Sequence, residues 1–291
     1  MTRIGVFAAL PALVLSAGLT AAASASASTT PAAATATSPT AAQRAAAAQQ
    51  ARAAIKKLVV GFKHSSPTAK VTSRSAGVKG LSQVESNNWA GYADTGSGFS
   101  KVTASWTEPT GKSSGNTESL AAFWVGIDGY SSASVEQDGT IIESYEGTVY
   151  YYDWWEIYPE NDVQVVNNVK PGDHITSTVT RSGDSYTLSV TDSTTPSDSF
   201  STTQTYSGGA NSSAEWIAEA PSGSSGIEPL TDFGTWSDTG SSVTEGSTAG
   251  TISSFTDDEI TQVNSGGTVL DQPSALNSSG NAFTATWKRS S

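Results

Sequence analysis

Two short stretches of this 291-residue chain carry side chains suited to acid–base chemistry. Successive residues of a strand point to opposite faces. In residues 148–158, Tyr150, Tyr152, Trp154, Glu156 and Tyr158 therefore share one face, and Val149, Tyr151, Asp153, Trp155 and Ile157 the other. A row of aromatics interrupted by one carboxylate suits a binding groove, and the charge of Glu156 argues against its full burial. In residues 214–220, Glu215, Ile217 and Glu219 share a face, while Ala214, Trp216 and Ala218 read as the core side. Two carboxylates on one strand face fit a solvated surface. They fit a cleft equally well, where crowding and burial raise a carboxyl pKa. Parity alone leaves those alternatives open.

Other chemistries are excluded by counting. The chain has no cysteine, so it has no disulfide framework, thiol nucleophile or Cys-ligated metal. Its two histidines are His64 and His174. His174, beside a Pro-Gly-Asp turn, reads as a surface residue, which gives Ser-His-Asp catalysis weak support and His-clustered metal sites none. The acidic balance, 15 Lys+Arg against 27 Asp+Glu, argues against nucleic acid as a partner.

The segments that must position these groups alternate short β-type runs with Gly, Asp, Ser and Asn turns. Strands are predicted over residues 121–127, 140–145, 148–158, 175–180, 186–191 and 214–220, with 268–270 and 282–287 as a closing pair. Many short strands at this spacing predict an all-β fold, a two-sheet antiparallel sandwich, with no convincing helix between residues 81 and 291.

The N-terminal portion is of another character. Arg3, an apolar stretch from Ile4 to Leu19 and several A-x-A sites by Ala27 read as a signal peptide over residues 1–27, so the chain is expected to be secreted and free of the membrane once that signal is cut. Residues 28–80 read as a propeptide and linker, Ala/Thr/Ser/Pro-rich at first and helix-prone over residues 40–60. The first acidic residue is Glu85, and nine of the 15 basic residues precede it. Residues 81–291 therefore hold six basic residues against all 27 acidic ones, a net charge of −21. Such segregation predicts a basic prosegment seated on an acidic domain.

Five segments in order carry a family likeness: Glu85-Ser86-Asn87-Asn88-Trp89-Ala90-Gly91-Tyr92, Phe123-Trp124-Val125-Gly126-Ile127-Asp128-Gly129, Glu136-Gln137-Asp138-Gly139, Trp154-Trp155-Glu156-Ile157-Tyr158-Pro159 and Ala214-Glu215-Trp216-Ile217-Ala218-Glu219. With this spacing, residues 84–288 resemble the glutamic peptidases of the eqolisin (G1) family. The resemblance implies a concanavalin A-like sandwich with a groove on its concave face. It also implies peptide hydrolysis by a Gln/Glu pair, here Gln137 and Glu219, and groove residues at Trp89, Trp124, Asp128, Glu156 and Tyr158. It calls for no cofactor and no metal. The expected protein is a monomeric acid endopeptidase made as a zymogen, with peptides as substrates and its own propeptide as inhibitor. Family acidic positions appear here as Ile141 and Tyr152. A carboxylate-dependent glycoside hydrolase, using Glu156 and Glu219, and a non-catalytic carbohydrate-binding sandwich are the competing readings.

Overall fold

The computed structural model describes residues 82–223 and 226–291, the strand Lys70–Val71, and the helical positions Ala42, Ala46 and Gln49. All of these belong to the second of two compact units, Ala42–Ser291. The expected signal peptide lies outside the described residues, as does most of the helix-prone segment 40–60, whose three described positions are helical.

The strands in chain order are β1 (Lys70–Val71), β2 (Ser82–Ser86), β3 (Trp89–Thr95), β4 (Phe99–Thr107), β5 (Ser119–Ile127), β6 (Val135–Tyr145), β7 (Thr148–Tyr158), β8 (Asn161–Asn168), β9 (His174–Ser182), β10 (Ser185–Asp192), β11 (Phe200–Thr205) and β12 (Ser213–Glu219). A short pair, β13 (Ser222–Gly223) and β14 (Gly226–Ile227), precedes β15 (Thr235–Glu245), β16 (Thr248–Gly250), β17 (Thr256–Val263), β18 (Val269–Pro273) and β19 (Phe283–Trp287). The only helices among the described residues of 82–291 are two 3₁₀ turns.

One sheet runs β1-β2-β17-β3-β12-β5-β6-β7-β8. The other runs β16-β15-β4-β9-β10-β11. Strand β15 joins both: its first half pairs with β19, its second half with β4. A register shift between Thr239 and Ser242 lets one strand turn between the sheets. This is the antiparallel sandwich that the alternating pattern predicts, with β2 and β17 paired in parallel.

The parity of β7 and β12 sorts their side chains as the sequence implies. Trp155 and Ile157 of β7, with Ala214, Trp216 and Ala218 of β12, pack into the main core between the sheets. A stacked Phe123–Trp236 pair, ring centroids 5.4 Å apart, lies at its centre. The opposite face of the larger sheet carries a second apolar cluster, including Trp89, Trp124, Tyr152, Trp154 and Ile217. A sheet that packs on one face only would leave this row wet; here it is aromatic and buried, as suits a groove floor.

Candidate active site

Glu219 closes β12, opposite Trp89 of β3 on one side and Ala122 of β5 on the other. Its carboxylate is held by non-titrating donors. The Asn88 side-chain amide donates Nδ2–H to Oε1 at 3.1 Å, and the Trp124 indole donates Nε1–H to Oε2 at 2.9 Å. Desolvation raises the Glu219 carboxyl to about 7, against the lowering effect of hydrogen bonds from Trp124, Trp89 and Asn88. The Trp89 and Trp124 rings meet edge to face, centroids 5.1 Å apart, which fixes the indole that points at the acid.

Gln137 lies on β6, between Gly126 of β5 and Glu156 of β7. It donates Nε2–H to Glu156 Oε2 at 2.6 Å. Burial pushes the Glu156 carboxyl up to about 8; the Gln137 bond lowers it, and the charges of Glu219 and Asp162 raise it. Glu156 is only 2% exposed, so its charge did not keep it out of the interior. A carboxyl that stays protonated and accepts an amide hydrogen bond can be buried where an ion could not.

Gln137 and Glu219 therefore share one sheet face, with β5 between their strands, and each is nearly inaccessible at 3% and 6% exposed. They do not bond to each other: Gln137 bonds to Glu156, Glu219 to Asn88 and Trp124. Along β5 their neighbours, Gly126 and Ala122, are four residues apart, and Trp124 stands on the row between. Its indole spans the gap. The N–H end reaches Glu219, while the far edge lies where a Cβ on Gly126 would be, 2.9 Å from Cζ3. Gly139 is needed for another reason: a Cβ there would meet the Phe123 carbonyl oxygen at 2.0 Å and Trp124 Cα at 2.7 Å, so only glycine lets β6 approach β5 here. Gly126 makes room for the Trp124 ring itself.

The other carboxylate of the Ala-Glu-Trp-Ile-Ala-Glu run is treated differently. Glu215 points to the same face but is 0% exposed, and desolvation raises it well above the ordinary carboxyl value. The Tyr130 backbone approaches it, and the Tyr130 hydroxyl is tied to Asp258 Oδ2 at 2.6 Å. Asp128, an expected groove residue, accepts hydrogen bonds from the backbone N–H groups of Asn211 and Ser212 at 2.7 and 2.8 Å, and from the Ser212 hydroxyl. Its backbone φ of 69° turns the chain out of β5. Tyr158 is partly buried at the end of β7 and packs against the groove-side cluster. Ile141 and Tyr152 fall on the Glu219 row, so the two replaced acidic positions are filled by apolar and aromatic side chains. His174 is exposed, its Nδ1 3.1 Å from the Thr107 hydroxyl, as expected of a surface histidine.

Asn88 and Ser86 are the site residues that the sequence reading passed over. Both stand in the first quoted segment, where a Ser two residues before an Asn marks a turn stabilised by its own side chains. Among the described residues, no group of three or more His, Asp or Glu side chains could hold a metal ion. No helix there is long and apolar enough to cross a membrane.

Aspergillopepsin-2 of Aspergillus niger is 29% identical over 264 residues, 81% of this chain and 91% of that protein. Scytalido-glutamic peptidase, solved with a transition state analog inhibitor, superposes with a TM-score of 0.60 at 23% identity, over 69% of this chain and 98% of that one. SCP-B, a member of the eqolisin family solved with the tripeptide Ala-Ile-His, superposes at 0.58 with 23% identity over the same shares, and these two likenesses establish the sandwich. The sequence profile of the peptidase A4 family matches residues 87–285, a span that begins beside Asn88, ends on β19, and contains both Gln137 and Glu219. This chain belongs to the peptidase A4 family, that of the eqolisin-type glutamic peptidases.

Proposed function

We propose that residues 81–291 form a secreted endopeptidase domain in which Glu219 is the general acid/base and Gln137 the oxyanion donor. Glu219 takes a proton from water as the hydroxyl oxygen attacks the peptide carbonyl carbon. It then returns that proton to the leaving nitrogen as the C–N bond breaks, giving a carboxylic acid and an amine. Gln137 carries two N–H groups. One is spent on Glu156, and the second is free to face the developing oxyanion without titrating. Because burial keeps Glu156 protonated below about 8, it places no negative charge beside that oxyanion.

The observation that carries this reading is the setting of Glu219. Both of its oxygens accept from N–H donors that cannot titrate, on the one buried sheet face that also holds Gln137. Desolvation at about 7 gives the same group a use as base and as acid. The base form grows tenfold per pH unit up to that value. The fold, rich in buried carboxyls, is favoured by the opposite trend, so activity is expected in a window on the acid side of neutrality. Trp89, Trp124, Glu156 and Tyr158 would then line or support the substrate groove, and Asp128 would hold its end. Membership of a peptidase family favours this reading over the glycoside hydrolase, which rested on Glu156 and Glu219 beside an aromatic groove, and over the carbohydrate-binding sandwich.

We further read residues 28–80 as an inhibitory prosegment. Support comes from β1, which pairs antiparallel with β2 in the register Lys70↔Glu85 and Val71↔Val84. Strand β2 leads directly into Ser86 and Asn88, so a prosegment strand docked there lies beside the holders of Glu219. The charge contrast between the two halves favours docking while the carboxylates are ionised, and acidification favours release.

Casein hydrolysis by Glu219→Gln, Gln137→Ala and Glu215→Gln tests the assignment. The first should be inactive, the second should fall about 10²–10³-fold in kcat, and the third should retain activity if folded. Loss in Glu215→Gln with survival of Glu219→Gln would reverse the roles of the two glutamates.

A further inference from the structure

We propose that Asn88 is a positioning residue that grips Glu219 from both sides, and that Ser86 sets which way its amide faces. This deepens the reading of Glu219 as the acid/base and rests on it. The Asn88 side chain donates to Glu219 Oε1 at 3.1 Å, and its backbone carbonyl accepts from the amide of Ala220, the next residue, at 2.9 Å. The two contacts bracket the Cα of Glu219. The first is made across 131 residues of sequence, at a site where Asn88 is buried.

An asparagine amide can turn over, exchanging oxygen for nitrogen, and only one orientation offers Glu219 a donor. Ser86 determines it. The Ser86 hydroxyl oxygen accepts from the backbone N–H of Asn88 at 3.3 Å and of Trp89 at 3.1 Å. With both lone pairs engaged, its proton goes to Asn88 Oδ1, 3.1 Å away. That leaves Nδ2 for the acid. The direction runs from two backbone amides through a hydroxyl and an amide to a carboxylate, and none of the groups leading to that carboxylate titrates in the working range. It therefore favours the ionised form of Glu219 at every working pH.

The titratable group facing this carboxylate is Glu156 of β7; the charges of Glu219 and of Asp162 on β8 raise it, so it stays neutral as Glu219 ionises and desolvation is what opposes the Glu219 charge. From β3 and β5, only the Trp89 and Trp124 indoles join Asn88 in favouring charge. Removing the Asn88 donor from this balance should displace the ionisation of Glu219 upward.

The test is the pH profile of kcat/KM for Asn88→Ala, Asn88→Leu and Ser86→Ala, beside Glu219→Gln, each checked for folding by its thermal midpoint. A hydrogen bond to a charged group corresponds to a displacement of about one to two pH units. Asn88→Ala should move the acid limb upward by that amount, so that at fixed pH below the limb activity falls about 10–100-fold while the plateau falls less. Ser86→Ala should move it the same way by a smaller step. If Asn88→Ala does not fold, the near-isosteric Asn88→Leu decides, since it keeps the volume, removes the donor and should displace the limb as far. A folded Asn88 variant whose limb stays at the wild-type pH overturns the proposal. Should Glu219→Gln be inactive in that case, the acid/base assignment survives alone; should Glu219→Gln be active, the assignment falls and the proposal with it.

Discussion

Asp94 makes the energetic logic of this fold measurable. It lies on β3 directly opposite Asp257 of β17, is 0% exposed, and neither carboxyl oxygen has a hydrogen-bond partner. Desolvation, followed by the charges of Asp257, Glu245 and Asp258, raises it from an ordinary 3.8 to about 9. A carboxyl whose folded value exceeds its unfolded value contributes stability fully present below the unfolded one, about pH 3.8, and lost as pH rises toward the folded one. At pH 7 the folded chain still holds this proton, while the unfolded chain has released it about 3 units earlier. At 1.36 kcal/mol per unit, the loss between pH 3 and pH 7 is about 4 kcal/mol. That figure depends only on the folded value lying above 7. It is a large share of the 5–15 kcal/mol that typically separates folded from unfolded domains. Asp94→Asn removes the linkage and keeps the shape. Thermal melts of the full chain followed by near-ultraviolet circular dichroism should show little change at pH 3. At pH 7 the variant should melt about 10 °C higher, from 2–4 °C per kcal/mol for a domain of this size. An equal shift at both pH values, or none at pH 7, would refute the argument that burial and like charge hold this proton on the folded protein.

The same reasoning gives a sharper use for Glu156, which is neutral below about 8. Glu156→Gln should keep kcat/KM within about threefold of wild type in acid, whereas Glu156→Ala, which frees the Gln137 amide, should lose about tenfold. Gly139→Ala drives a Cβ against the β5 backbone at Phe123 and Trp124, so its urea midpoint should fall by the equivalent of about 3 kcal/mol. The Glu219, Gln137 and Glu215 series tests the chemistry itself, with casein hydrolysis as the readout. The Asn88 and Ser86 variants test the support of Glu219, through the pH at which activity rises.

Wild-type stability should show the collective version of the Asp94 effect. Glu108, Glu136, Glu143 and Asp271 are also pushed up to between about 7 and 9, with burial the largest cause in each. Only two ion pairs join described residues, and the lysine in each is largely exposed. A domain of net charge −21 that buries so many acids outside any ion pair is built to be held together by protons. This links the composition to the expected working conditions: acid keeps the fold, while under the acid/base role proposed for Glu219 its ionisation sets the lower bound on activity.

The residues themselves were enough for anything that depends on period and order. Alternation placed Glu156 with Tyr158, and Glu215 with Glu219, on one face each, because a strand's side-chain direction is set locally by the pleat. The charge segregation and the five spaced segments were visible for the same reason: they are linear properties of the chain. Burial is not linear. Parity could not separate Glu215 from Glu219, two groups four residues apart on one strand. That decision came from Tyr130 and Asp258 closing over the first, and from Asn88 and Trp124 reaching the second. The deep burial of Glu156 was likewise set by Gln137 on a neighbouring strand, which supplies the hydrogen bond that a protonated acid needs. Whether a carboxyl ionises depends on what surrounds it in space, and those surroundings are assembled from β3, β5, β6 and β17 only when the sheet closes.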